Sequence, residues 1–132
     1  MSTIEEKRAL EALYTTGLWL MDQGRITDAA RVFEAMMVCE PTDERGWLAL
    51  GTCHERLDNS KVAYSIFEAG RHAASPSARC ELARARAARA MGDSDTADEA
   101  YDDAIAAAEA LDDAELQQLA TMEKENSHVL TS

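Results

Sequence analysis

The stretch LYTTGLWLMDQGRITDAARVF, residues 13–33, decides the fold, because its pattern returns twice further along the chain. Thirty-four residues on stands WLALGTCHERLDNSKVAYSIF (47–67), and another 34 on stands ELARARAARAMGDSDTADEAY (81–101). Gly17, Gly51 and Ala85 share one place in the three segments, and Ala29, Ala63 and Ala97 share a second. Phe33, Phe67 and Tyr101 occupy a third, and the turn residues Gly24, Asp58 and Gly92 a fourth. Self-similarity at this period marks a repeat architecture, in which no unit buries its apolar face without a neighbour.

Packing explains the first three places. A small residue at 17, 51 or 85 lets a second helix approach the first closely, and the alanines at 29, 63 and 97 do the same from the other side. The rings at 33, 67 and 101 then fill the space between one pair and the next, each contributing roughly 1.5–3 kcal/mol. Local signals predict helices over 9–23, from an N-cap at Thr27 to Pro41, over 43–57 and over 60–74 with Ser60 capping. Further helices are expected over 77–91, 94–111 and 112–124, with breaks at Ser75-Pro76 and Gly92-Asp93.

On these residues the chain resembles the tetratricopeptide repeat, a helix–turn–helix unit of this length. The resemblance implies an all-α fold of three such repeats, a short right-handed α-solenoid closed by a C-terminal capping helix. The expected divisions are a short segment 1–9, repeats 10–43, 44–77 and 78–111, a capping helix 112–124 and a frayed tail 125–132. The third repeat matches least well. Glu81 and Arg84 stand where the repeat usually carries large apolar residues, so that helix is expected to be rotated locally or less firmly packed.

Composition agrees with a helical protein and narrows its partners. The 132 residues are 46% apolar but only 5% aromatic, poor material for a β-sandwich. The net charge of −12 argues against a bulk electrostatic binder of nucleic acid or of an anionic membrane. Most of that charge lies late: residues 93–132 hold 12 acids and the single Lys124. Those acids solubilise the surface or present a face to a basic partner. No apolar run approaches a membrane span, the N-terminus lacks a signal-peptide core, and Cys39, Cys53 and Cys80 are too few and scattered for a disulfide framework. A cytoplasmic, reduced protein is the expectation.

The residues of an enzyme are missing from the pattern. There is no glycine-rich phosphate loop and no histidine pair at metal-ligand spacing, so neither cofactor nor metal is expected. Cys53 and His54 are adjacent, about 100° apart around a helix, and do not face each other as nucleophile and base.

A binding surface is expected on the inner, concave face, formed by the first helix of each pair. Its inward positions are Glu11, Tyr14, Leu18, Met21 and Asp22 in the first repeat. The second supplies Arg45, Leu48, Thr52, Glu55 and Arg56, and the third Arg79, Leu82, Arg86 and Arg89. The groove so drawn is apolar at one end and basic at the other. Tyr14, Leu18 and Met21 form either the outer edge of the core or pockets for a partner's apolar side chains. The arginines form either a solvated stripe or one neutralised by nearby acids. The carboxylate clamp of heat-shock co-chaperones (Lys, Asn, Asn, Lys and Arg) is absent: its places hold Tyr14, Leu18, Ala49, Arg79 and Ala83.

The run from Leu13-Tyr14 to Leu18, then Gly24 to Phe33, then Trp47 to Cys53 is similar to one bacterial group. These are the class II type III secretion chaperones (LcrH/SycD-like), and the resemblance covers residues 10–111. It implies a cytoplasmic chaperone that holds an extended segment of a translocator protein in the groove and keeps it soluble before secretion. A general interaction scaffold and a needle-subunit chaperone are the alternatives. Carried over by position, Tyr14, Leu18 and Met21 line the first pockets, and Leu48, Thr52 and Leu82 continue the groove. Arg45, Arg86 and Arg89 complete the expected partner-binding set. A homodimer is a further partnership in that family, made through a longer N-terminal helix for which residues 1–9 stand here.

Overall fold

The structure is a computed structural model that describes residues 3–131, with side chains described for residues 3–128. Among the described residues the chain forms α1 (Ile4–Asp22), α2 (Ile26–Cys39), α3 (Glu44–Arg56), α4 (Ser60–Ala73), α5 (Ala78–Ala90), α6 (Ser94–Ala110) and α7 (Ala114–Thr131), with no strand. Consecutive helices pack on one another, and the odd-numbered helices also touch in series, α1 on α3, α3 on α5 and α5 on α7. That series is the inner face of the array.

The period seen in the sequence is a period of backbone conformation. Gly24, Asp58 and Gly92, each 34 residues from the next, all close their turns with positive φ, at 76°, 60° and 79°. The left-handed region favours glycine, and aspartate tolerates it better than most residues. Asp112 repeats the device between α6 and α7, with φ of 56°.

Close helix approach is carried by the glycines at the first shared place. A Cβ on Gly17 would lie 2.5 Å from Phe33 Cζ, and one on Gly51 2.5 Å from Phe67 Cζ. Both rings are buried. In the third pair Ala85 and Tyr101 fill the same places, both fully buried. One core cluster runs from Leu10 through Phe33 to Cys53, another from Leu82 through Tyr101 to Ala120, and Phe67 with Ala63 and Ala87 bridges them.

Several expectations are corrected at the helix ends. α1 starts at Ile4, inside the segment expected to precede the first repeat, because Thr3 and Glu6 form a reciprocal capping box. Thr27 lies inside α2, whose N-cap is Arg25, and Ser60 is the first residue of α4 after Asn59. Neither of those helices has a side-chain cap. Asp43, Ser77 and Asp93 do cap α3, α5 and α6 by accepting from backbone N–H groups. The last helix runs through most of the stretch expected to fray, to Thr131. Its docking is fixed by Lys124 on Asp102 and Arg86 on Glu123.

The third pair is not the loose one. Glu81 and Arg84 are only 6% and 4% exposed, and α5 buries eight of its residues. The polar pair is accommodated by an ionic network between helices. Arg71 on α4 donates to Glu81 and, at 3.1 Å, to Asp103 on α6. Arg84 donates to the same Asp103 oxygen at 2.9 Å and to the Tyr64 hydroxyl at 3.4 Å. Burial pushes the Glu81 pKa up, against the pull of Arg71 and Arg84. Burial also works against the Arg84 charge, but Tyr64, Glu81 and Asp103 together raise its pKa. Arg84 Nε, 3.9 Å from Glu81, is the one buried side-chain polar atom without a hydrogen bond among the described residues.

Candidate functional site

Two adjoining hollows run along the inner face. The first, about 440 Å³, is lined by Tyr14, Leu18 and Met21 of α1 and by Arg45, Leu48, Ala49 and Thr52 of α3, with Glu44 and Arg79 at its edge. The second, about 330 Å³, shares Leu48, Thr52 and Arg79 with the first and continues over Glu55, Leu82, Ala83 and Arg86. Together they form one groove across α1, α3 and α5. Its lining follows the repeat: Tyr14, Leu48 and Leu82 are 34 apart, and so are Leu18, Thr52 and Arg86.

The helices set each side chain by packing behind it. Tyr14 is half-buried, its ring 6.3 Å from Phe33 in a tilted arrangement and 4.6 Å beneath the Arg45 guanidinium. That sandwich holds the ring upright at the wall of the first hollow. Leu18, one turn on, is 43% exposed with its side chain open to the hollow. Tyr14 and Met21 are partly buried against the first core cluster and, with Leu18, also line the first hollow, so the two sequence readings do not exclude each other. Thr52 spends its hydroxyl on the Leu48 carbonyl at 2.8 Å and presents its methyl face.

The groove's arginines are neutralised. Arg45 makes a bidentate pair with Glu11 at 2.6 and 3.1 Å and also reaches Asp43 at 2.8 Å. Those contacts raise the Arg45 pKa and hold Glu11 and Asp43 below the usual carboxylate range. Arg79 pairs with Glu44 at 3.1 Å. Arg86 grips both oxygens of Glu123, which lowers the Glu123 pKa and raises that of Arg86. The basic end expected from the sequence is thus replaced by a ladder of ion pairs.

Two further corrections follow from the geometry. Arg89 lies in the last turn of α5, past the second hollow, with its guanidinium 5.8 Å from the Tyr101 ring centre, and takes no part in the groove. Asp22 and Arg56 line neither hollow. Conversely, Leu116 and Leu119 of α7 line the far end of the groove, and Leu116 stands 34 residues after Leu82, at the place that Tyr14 and Leu48 hold in the earlier units. The sequence signals that could have found them are that interval for Leu116 and the apolar spacing along α7 for Leu119.

A second apolar hollow, about 630 Å³, opens between α2 and α4 over α3, lined by Met37, Val38, Trp47, Val62 and Ile66 among others. Val38 is 74% exposed there. Among the described residues no cluster of His, Cys, Asp and Glu could hold a metal ion. No described helix is long and apolar enough to cross a membrane.

No family model and no curated protein sequence matches the chain. Solved structures do. PcrH from Pseudomonas aeruginosa is 27% identical, with a TM-score of 0.79 over 90% of this chain and 91% of that one. PcrH in complex with the chaperone binding region of PopD gives 25% identity and a TM-score of 0.80 over 96% of both chains. The chain has the fold of the type III secretion translocator chaperones. The translocator chaperone SycD of Yersinia enterocolitica shares that fold at 22% identity, with a TM-score of 0.76 over 92% of this chain and 85% of that one. Within the translocator-chaperone fold, the groove described above lies on the inner face of the repeats.

Proposed function

We propose that the chain is a cytoplasmic chaperone without catalytic chemistry, which holds an extended apolar segment of a type III secretion translocator subunit in the inner groove until secretion. The observation that carries this reading is the groove itself: exposed Leu18, upright Tyr14 and half-buried Leu48, with buried Leu82 at its floor, form a continuous apolar track whose arginines are paired off. Likeness to the PcrH complex with PopD supports the choice of client. A translocator carries apolar segments that associate early in water unless covered. Three anchors buried in the groove gain roughly 5–8 kcal/mol gross, and ordering the segment removes much of it. The complex is then tight enough to store a client and weak enough to release it.

The test is a pull-down with the tagged chain from the native lysate, with Tyr14→Ala plus Leu18→Ala as the paired variant. A membrane-active translocator subunit should co-purify with the wild type. The double variant should lose it while its far-ultraviolet circular dichroism is unchanged. Undiminished recovery with the double variant refutes the groove, and recovery of only one soluble regulator or a needle protomer refutes the client.

A further inference from the structure

Resting on that reading of the groove, we infer that the client segment carries a lysine or arginine between its apolar anchors, received by the Glu55 carboxylate. Glu55 lines the second hollow at the place held by Met21 in the first repeat, 34 residues earlier. Its carboxylate makes no hydrogen bond or ion pair among the described residues, whereas every arginine lining the groove is already committed to a carboxylate. Its nearest positive influence is Arg86, whose guanidinium is held by both oxygens of Glu123. The groove's three arginines are offset by Glu11, Asp43, Glu44 and Glu123, which leaves Glu55 the lining carboxylate without a partner among the described residues.

The physics follows from what docking does to Glu55. Partial desolvation already pushes its pKa above the ordinary carboxylate value. A segment laid over Leu48, Thr52 and Leu82 strips more water from that carboxylate. An apolar or acidic residue opposite leaves a charge uncompensated, while a cation restores the lost interactions. Charge complementarity at such a place discriminates among partners more than it adds affinity. The occupant is thus a basic, apolar-flanked extended segment.

The probe is an array of synthetic extended peptides, each with two leucines at varied separation and Lys, Gln or Glu between them. Binding to the wild type should favour Lys over Glu by about tenfold, equivalent to about 1.4 kcal/mol. Glu55→Gln should flatten that ratio and Glu55→Lys should invert it. Glu109→Lys makes the same change in net charge on exposed α6 and should leave the ratio unmoved. A Lys/Glu ratio unaltered in Glu55→Lys, or altered equally by Glu109→Lys, overturns the Glu55 assignment alone. Wild type that binds no peptide, or binding that persists after Tyr14→Ala with Leu18→Ala, overturns the groove reading instead.

Discussion

Gly51 carries no side chain because the Phe67 ring takes the space a Cβ would need, with Cζ 2.5 Å from that position. Alanine there gains about 1 kcal/mol in helix propensity but forces a buried ring off its rotamer or the helices apart. We expect Gly51→Ala to lose about 1–2 kcal/mol net in urea unfolding, and Gly17→Ala to behave alike against Phe33. Stability equal to or above wild type would mean that the rings are free to move. At this scale the sequence was most readable, since glycine, alanine and ring recur at fixed places for steric reasons that need no knowledge of partners. Tyr14, Leu48 and Leu82 were equally readable, being one place in three units. The state of the arginines was not. Whether Arg45 is solvated or paired depends on Glu11, a full repeat away, and on rotamers that no spacing encodes.

Helices α4, α5 and α6 are joined by an ionic network in place of the apolar contact that the repeat pattern led one to expect at Glu81 and Arg84. Removing one member of a buried pair leaves the other uncompensated, a loss of roughly 3–5 kcal/mol, whereas replacing both with apolar groups is close to neutral. Glu81→Leu and Arg84→Met should each destabilise strongly in urea, and the double variant should recover most of the loss. Arg71 and Asp103 remain paired with each other in that variant. Additive losses would mean that the two side chains act independently. The seventh helix was legible as a cap, but its share in the groove was not read from it, although Leu116 continues the series of Tyr14, Leu48 and Leu82 at the same interval of 34. It is tied to α5 through Glu123, whose pKa Arg86 depresses. A depressed carboxylate pKa contributes stability that is present above the unfolded value near 4.5 and lost as pH falls through the folded value below it. Protection factors of the α7 amides, taken against the slower intrinsic exchange in acid, should fall selectively on acidification below that range, and Glu123→Gln should show the lowered protection already at neutral pH. An α7 equally protected in Glu123→Gln at neutral pH would detach the helix from this ion pair.

At the scale of the whole molecule, the inner groove and the hollow between α2 and α4 are both apolar surfaces of the described residues, and the groove is the one that follows the repeat. The inner groove draws on equivalent places of α1, α3 and α5, while the hollow between α2 and α4 depends on Val38 and Val62, which share no place in the repeat. The acidic last third is also partly explained, since Asp102, Asp103 and Glu123 hold α7 and the third pair together through Lys124, Arg71, Arg84 and Arg86. Array architecture was legible because stacked helical pairs must bury the same face at every step. Groove charge was not, because it arises between units. The most direct measurement places a photo-crosslinking p-benzoylphenylalanine at position 48, or at position 62, in a chain co-expressed with a translocator subunit of the secretion system in its native host. The expected result is a crosslinked client from position 48 and none from position 62. Crosslinking from position 62 with none from position 48 would contradict capture in the inner groove.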